Sequence, residues 1–180
     1  DILIRSSNIG SLMIGRKIGE EKLKNFLEKL GLLKILNFEL EEVGRPLNFN
    51  WEKCKLETVS FGHGITTTPL QAAAAYASIT NGGFSINPTL SLKKKLNDMD
   101  QRTIISKKTS DQINKILRKV VSDKEGTGSF ADIFGYDVGG KTGTAKSYTN
   151  GNKNINTFIS VFPTNKPKYT LLVMLENPQI

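Results

Sequence analysis

The chain has 180 residues, 38% of them apolar and 23% charged, which suits one globular domain with a real core and excludes a low-complexity or disordered chain. The longest apolar runs, 72–79 and 169–175, fall well short of the roughly 18 residues that span a bilayer, and the opening DILIRSSN lacks a signal-peptide layout. The formal charge of +8 is spread over scattered lysines, with one tight run at Lys93–Lys95 and no interleaved aromatics, so it reads as a solvated surface and not a nucleic-acid footprint.

The spacing predicts a short helix over Asn8–Ile18, with Ile9, Leu12, Met13 and Ile14 on one side. A second helix over 20–30 carries Leu23, Phe26, Leu27 and Leu30 at i, i+3, i+4 and i+7. Acidic residues lead it and Gly31 stops it. Residues 37–62 read as irregular, with Trp51 as a packing anchor. Thr68-Pro69-Leu70-Gln71 is a capping box with proline at the first helical position. The alanine-rich helix it starts ends at Asn81-Gly82-Gly83. Thr109-x-x-Gln112 is expected to cap a further helix whose buried stripe is Ile113, Ile116, Leu117 and Val120. The pattern then turns strand-like at 138–148, 155–162 and 169–176. Asn150-Gly151 and the segment 163–168 make the short connections that join antiparallel neighbours. Helices followed by a three-strand meander define an α+β fold, an antiparallel sheet flanked by helices.

Two nucleotide motifs occur by letter. GYDVGGKT, residues 135–142, fits G-x-x-x-x-G-K-[ST]. A phosphate loop must follow a buried strand and open a helix, so that backbone N–H groups meet the anion. Here Gly143, Thr144, Ser147 and Thr149 follow, poor helix formers leading into a turn. Gly126-x-Gly128-x-x-Ala131 imitates a dinucleotide fingerprint, but a helix precedes it where a strand is required. Neither reading holds. The single cysteine, Cys54, and single histidine, His63, exclude an internal disulfide and a clustered histidine metal site.

Read instead as a strand, Lys141-Thr142-Gly143-Thr144 is paired on one side by the next strand and free on the other. A free edge offers backbone N–H and C=O groups to an extended peptide. Gly143 leaves room for its approach, Lys141 supplies a positive charge, and the threonine hydroxyls suit a carboxylate. A surface strand with a glycine bulge explains the same letters.

Lys141-Thr142-Gly143 is also the K-T-G element of the penicillin-recognising serine enzymes, and Ser6-Ser7-Asn8 supplies their S-x-N. GRPLNFNW, TVSFGHGITTTPLQAAAAYASITNGG, GYDVGGKTGTAK and a closing LENPQ extend the match over essentially the whole chain. It resembles the transpeptidase domain of class B penicillin-binding proteins, most nearly the septal, cell-division type that cross-links peptidoglycan.

The resemblance implies a serine acyl-enzyme mechanism with no metal or cofactor. It implies that Ser6 relays protons to the leaving amine and that Asn8 holds the substrate's side-chain amide. Lys141 would stabilise anionic groups, and Thr142 and Thr144 would bind the carboxylate of D-Ala-D-Ala or of a β-lactam beside Gly143. The Thr144 N–H would form half of the oxyanion hole. His63, where the family usually has an aromatic residue, would line the cleft; a loop histidine in a glycine-flanked turn is the alternative. Lys146 touches substrate or is simply solvated. Septal wall-synthesis proteins are the implied partners. The implied location is the periplasmic face of the inner membrane, held by an anchor upstream of Asp1.

One departure stands out. The family's S-x-x-K nucleophile precedes S-x-N by some tens of residues, and only five residues precede Ser6. Ser91-Leu92-Lys93-Lys94 has the letters but the wrong order and an extended, lysine-rich context. The chain is therefore expected to be the C-terminal portion of one transpeptidase domain, unable to be acylated alone, with one face of its sheet uncovered. A D,D-carboxypeptidase or β-lactamase-type hydrolase, a catalytically silent partner-binding module, and a nucleic-acid binder are the competing readings.

Overall fold

The computed structural model describes residues 1–40, 44, 51, 55–92, 102–147 and 153–179. Cys54, the Lys93–Lys95 run and the Asn150-Gly151 turn lie outside the described residues, as does most of GRPLNFNW. Helices α1 (Asn8–Ile18), α2 (Glu20–Lys29), α3 (Lys55–Ser60), α4 (Pro69–Thr80) and α5 (Lys107–Ser122) precede strands β1 (Gly139–Ser147), β2 (Lys153–Phe162) and β3 (Tyr169–Glu176). A 3-10 turn at Ser129–Ala131 joins α5 to the sheet. The strands form one antiparallel sheet in the order β1-β2-β3, so β1 is its border among the described residues. Register runs from Gly139↔Val161 to Ser147↔Lys153 and from Ile155↔Glu176 to Phe162↔Tyr169. The helices-then-meander order and all three strands match the sequence expectation. No helix of the described residues is long and apolar enough to cross a membrane.

The capping box at α4 forms as its letters require. Thr68 Oγ1 accepts from the Gln71 N–H at 3.1 Å, and Gln71 Oε1 accepts from the Thr68 N–H at 3.0 Å. Gln71 is 2% exposed, and its amide nitrogen also donates to the carbonyls of Gly31 and Lys34. One side chain thus ends one helix's exit and starts another. At the far end of α4, Asn81 Oδ1 accepts from the N–H groups of Gly83 and Phe84, while Gly82 and Gly83 take φ of 101° and 95°.

Helix α5 departs from expectation in two ways. Its N-cap is Ser106, whose hydroxyl accepts from the Thr109 N–H, so the helix starts before Thr109. Its buried residues are Ser110, Asn114, Leu117, Val120 and Val121, while Ile116 is exposed. The reason lies in α4. Asn114 Nδ2 donates to Thr80 O at 2.9 Å, and Ser110 Oγ accepts from the Gly82 N–H at 3.0 Å. The end of α4 is buried and needs partners for its last backbone groups, so α5 turns polar residues inward to supply them.

Helix α3 lies where the sequence reads as irregular. It is short and packs on α1: Gly15 of α1 is buried against Ser60, with no space for a side chain between them. The apolar residues expected to unite one side of α1 do not form its buried face; Ile9 and Met13 are exposed. Leu171, Val173 and Leu175, alternate residues on one face of β3, are also exposed, which fits the expected uncovered sheet face.

Replacing Gln71 with Ala removes a capping arm and leaves the Gly31 and Lys34 carbonyls unpaired. In the full-length protein this should cost about 2 kcal/mol, from lost hydrogen bonds and cap. Chemical denaturation of wild type and Gln71→Ala measures it, and an unchanged midpoint contradicts it.

Candidate active site

The residues Ser6-Ser7-Asn8 divide their labour at the start of α1. Ser7 is the N-cap, its hydroxyl accepting from the Gly10 N–H at 3.2 Å. Asn8 is the first helical residue, exposed, and its side chain has no hydrogen-bond partner among the described residues. Ser6 stands outside the helix with φ of 54°, a left-handed conformation uncommon for serine. This conformation accompanies a contact across the fold. Lys141 Nζ donates to Ser6 Oγ at 2.8 Å and to the carbonyl of Thr142 at 3.0 Å.

Lys141 lies on β1, inside the strand and not at a helix start, which rules out a phosphate loop at residues 135–142. Two anchors fix how β1 enters the sheet. Arg118 of α5 donates to Val138 O at 2.9 Å and pairs with Asp132 and Asp137. Asp137 in turn accepts from Thr164 Oγ1 and the Asn165 N–H. Gly140 leaves its space to the Phe158 ring of β2, which would come within 2.5 Å of a Cβ there. Gly143 has a tight neighbour too. A Cβ would sit 2.6 Å from Thr157 Oγ1, and that hydroxyl donates to the Gly143 carbonyl at 3.3 Å. Its missing side chain therefore serves close strand pairing, beside any room it leaves for a ligand.

The Lys141 ammonium is half-buried, and no carboxylate is paired with it among the described residues. Burial lowers its pKa below the ordinary lysine value of 10.5. A cation that donates to Ser6 Oγ leaves the serine's own proton free to be given elsewhere and makes that hydroxyl a better acid.

The glycine-rich segment that imitates a dinucleotide fingerprint has a different task. Gly126 N–H donates to Asp123 O and Gly128 N–H to Val120 O, which folds the loop against the end of α5. A side chain at Gly126 would run into the Val120 carbonyl. The loop holds Thr127, whose N–H donates to Ile4 O at 3.2 Å and whose hydroxyl lies 2.9 Å from Thr142 Oγ1. Arg5 and Glu125 pair alongside. Thr127 is a site residue that the sequence reading missed. Its signal was present: Gly-x-Gly after a helix end marks a backbone packed too closely for side chains.

Ser6, Lys141, Thr142 and Thr127 thus converge. Thr144 and Lys146 are exposed farther along β1. His63 is exposed between Gly62 and Gly64, both at positive φ, with its ring tilted against Phe61 at 5.3 Å. Its loop follows α3, which packs on the helix that begins beside Ser6, and among the described residues no hydrogen bond or ion pair joins His63 to Lys141 or Ser6. Trp51 is half-buried, and Ser91 is exposed.

Known proteins are similar to this chain over nearly all of its length. The family described as "Penicillin binding protein transpeptidase domain" matches residues 1–179. A probable peptidoglycan D,D-transpeptidase FtsI of Caulobacter vibrioides is 34% identical over 99% of this chain and 32% of its own length. Stage V sporulation protein D of Bacillus subtilis is 32% identical, with 99% and 30% covered. Among solved structures, the transpeptidase domain of Burkholderia pseudomallei penicillin-binding protein 3 superposes with a TM-score of 0.88 at 26% identity, covering 98% of this chain and 55% of that one. Penicillin-binding protein 3 of Mycobacterium tuberculosis in complex with aztreonam gives 0.86 at 26% identity, covering 98% and 44%. The chain spans about a third of the length of these curated relatives.

The lowered Lys141 pKa sets a pH signature. Below it the lysine is charged in both folded and unfolded states, and the folded state bears the desolvation cost. As pH rises from the folded value toward 10.5, the unfolded state holds more protons. Stability attributable to this group therefore increases with pH in that window. Unfolding free energies of the full-length protein and of Lys141→Met, compared across it, should diverge in favour of wild type as pH rises. Parallel curves would contradict it.

Proposed function

Because the chain belongs to the penicillin-binding-protein transpeptidase family, we propose that it is the C-terminal portion of one transpeptidase domain in a septal peptidoglycan D,D-transpeptidase. The observation that carries the reading is the 2.8 Å contact between Lys141 Nζ and Ser6 Oγ on the border of the sheet. It joins a K-T-G strand to an S-x-N turn, as an acyl-transfer site of this class requires.

In this reading a serine outside the 180 residues attacks the penultimate D-alanine carbonyl of a stem peptide. An ester bond forms, the peptide C–N bond breaks, and D-alanine leaves with a proton. Ser6 relays the proton lost by the attacking serine to the leaving nitrogen, with Lys141 donating to Ser6 Oγ throughout. Asn8, free at the first turn of α1, holds the substrate's side-chain amide. Thr142 and Thr144 bind the terminal carboxylate along the border strand beside Gly143, and the Thr144 N–H meets the carbonyl oxygen as negative charge develops there. His63 lines the cleft. A neighbouring stem-peptide amine then attacks the ester; the new amide bond forms, the ester bond breaks, and the amine's proton returns to the departing serine oxygen, which completes a cross-link with no cofactor.

β-Lactams enter the same cleft as acylating mimics of the stem peptide; penicillin-binding protein 3 of Mycobacterium tuberculosis is solved with aztreonam and with ampicillin. The catalytic domain works outside the cytoplasm, where its polymer lies. We place it at the periplasmic face of the inner membrane, anchored through a segment upstream of Asp1 and working beside other septal wall-synthesis proteins.

A fluorescent penicillin added to the full-length protein tests this. Wild type should be labelled at a serine outside residues 1–180, and Lys141→Ala and Ser6→Ala should each slow acylation by about 100-fold or more, the range for lost proton transfer and charge stabilisation. Labelling of Lys141→Ala at the wild-type rate overturns the assigned roles. Labelling of the isolated chain at one of its own serines overturns the external nucleophile. With paired stem peptides, dimer as the main product separates transpeptidation from hydrolysis to the free acid.

A further inference from the structure

The K-T-G strand and the S-x-N turn are joined twice, once by the Lys141–Ser6 contact and once through the loop 123–128. The second joint has no place in the mechanism above. Thr127 spans it with two different groups. Its backbone N–H holds Ile4 O, two residues before Ser6, and its side chain meets Thr142, the residue after Lys141. The loop that carries it has little freedom, because Gly126 and Gly128 are bonded back to α5 and a Cβ at either would crowd its neighbours. The hydroxyl of Thr127 is therefore presented at a set position.

We propose that Thr127 is a positioning residue for anion recognition, holding the Thr142 hydroxyl in the orientation that receives a ligand carboxylate. The inference rests on the function proposed above. Two hydroxyls 2.9 Å apart share one hydrogen bond and own two protons. Without ligand, Thr142 Oγ1 donates to Thr127 Oγ1. A carboxylate has no proton to give and can only accept, so it takes the Thr142 proton. The Thr127 hydroxyl then turns its own proton to the Thr142 oxygen. Both hydroxyls stay satisfied, no heavy atom moves, and the Thr142 O–H is polarised toward the anion by the bond it accepts. A valine at 127 keeps the shape and the backbone bond to Ile4 but cannot return the proton, so Thr142 is left to rotate among its rotamers.

Because the effect acts through a carboxylate, its readout is a ratio. The full-length protein is acylated by a penicillin and by the methyl ester of the same penicillin, and the two second-order rate constants are compared on one sample. Partial loss of folded protein cancels in that ratio. Thr127→Val should lower the acid-to-ester preference by about five- to tenfold, the worth of one hydrogen bond to a group that binds an ion. The loss should sit in the binding constant and leave the first-order acylation step unchanged. Thr127→Ser should restore the preference to within about twofold. In a Thr142→Val background, Thr127→Val should have no further effect, since the residue acts through Thr142.

An unchanged acid-to-ester ratio in Thr127→Val, or an equal loss in the Thr142→Val background, overturns the inference while leaving the transpeptidase reading intact. A full-length wild type that neither compound acylates overturns that reading, and the inference with it.

Discussion

A single hydrogen bond spans 135 residues of sequence, from the ammonium of Lys141 to the hydroxyl of Ser6. The rest of the molecule can be understood by asking what brings those two atoms together and keeps water from pulling them apart. On one side stands a border strand whose entry is clamped by Arg118 and Asp137. On the other stands a turn forced out of helix α1 because its neighbour Ser7 is already used as the cap. A lysine held half-buried with no carboxylate partner among the described residues has a reduced preference for its charge. Groups perturbed by burial gather at sites where a proton or a field is needed.

The glycines around the site follow one logic with different partners. Gly140 gives its space to the Phe158 ring, Gly143 to the Thr157 hydroxyl, Gly126 to the Val120 carbonyl and Gly15 to Ser60. Each removes a side chain so that another group can come closer than ordinary packing permits. The outcome is a site whose border strand, preceding loop and flanking turn are in close contact. The same tightness explains why a Gly-x-Gly run can look like a nucleotide motif. Close backbone approach is what both arrangements need, and only the next element, strand or helix, tells them apart.

The legibility of the fold varied with the range of the forces involved. The capping box at α4, its glycine stop and strand β3 were readable because their signals lie within a few residues of one another. The buried face of α5 was misread toward Ile116, because hydrophobic period says nothing about the unpaired backbone at the end of α4 that Ser110 and Asn114 satisfy. Helix α3 was missed since it packs against Gly15, some forty residues away and glycine for reasons of its own. At the site, Lys141, Thr142 and Ser6 were found through motif letters. Thr127 was not, because a threonine between two glycines acquires meaning only once Ile4 and Thr142 are seen on either side of it.

By itself the sequence determined the α+β order of elements, the strand character of Lys141 to Thr144 and the family whose motifs it carries, since all of these are written in local spacing and short words. Tertiary structure alone decided that Ser6 meets the lysine while Ser7 caps a helix, that α5 turns polar residues inward, and that Thr127 joins two motifs. Those outcomes depend on pairs of groups far apart along the chain. Whether such groups meet is set by the packing of whole elements, which no window of neighbouring residues contains.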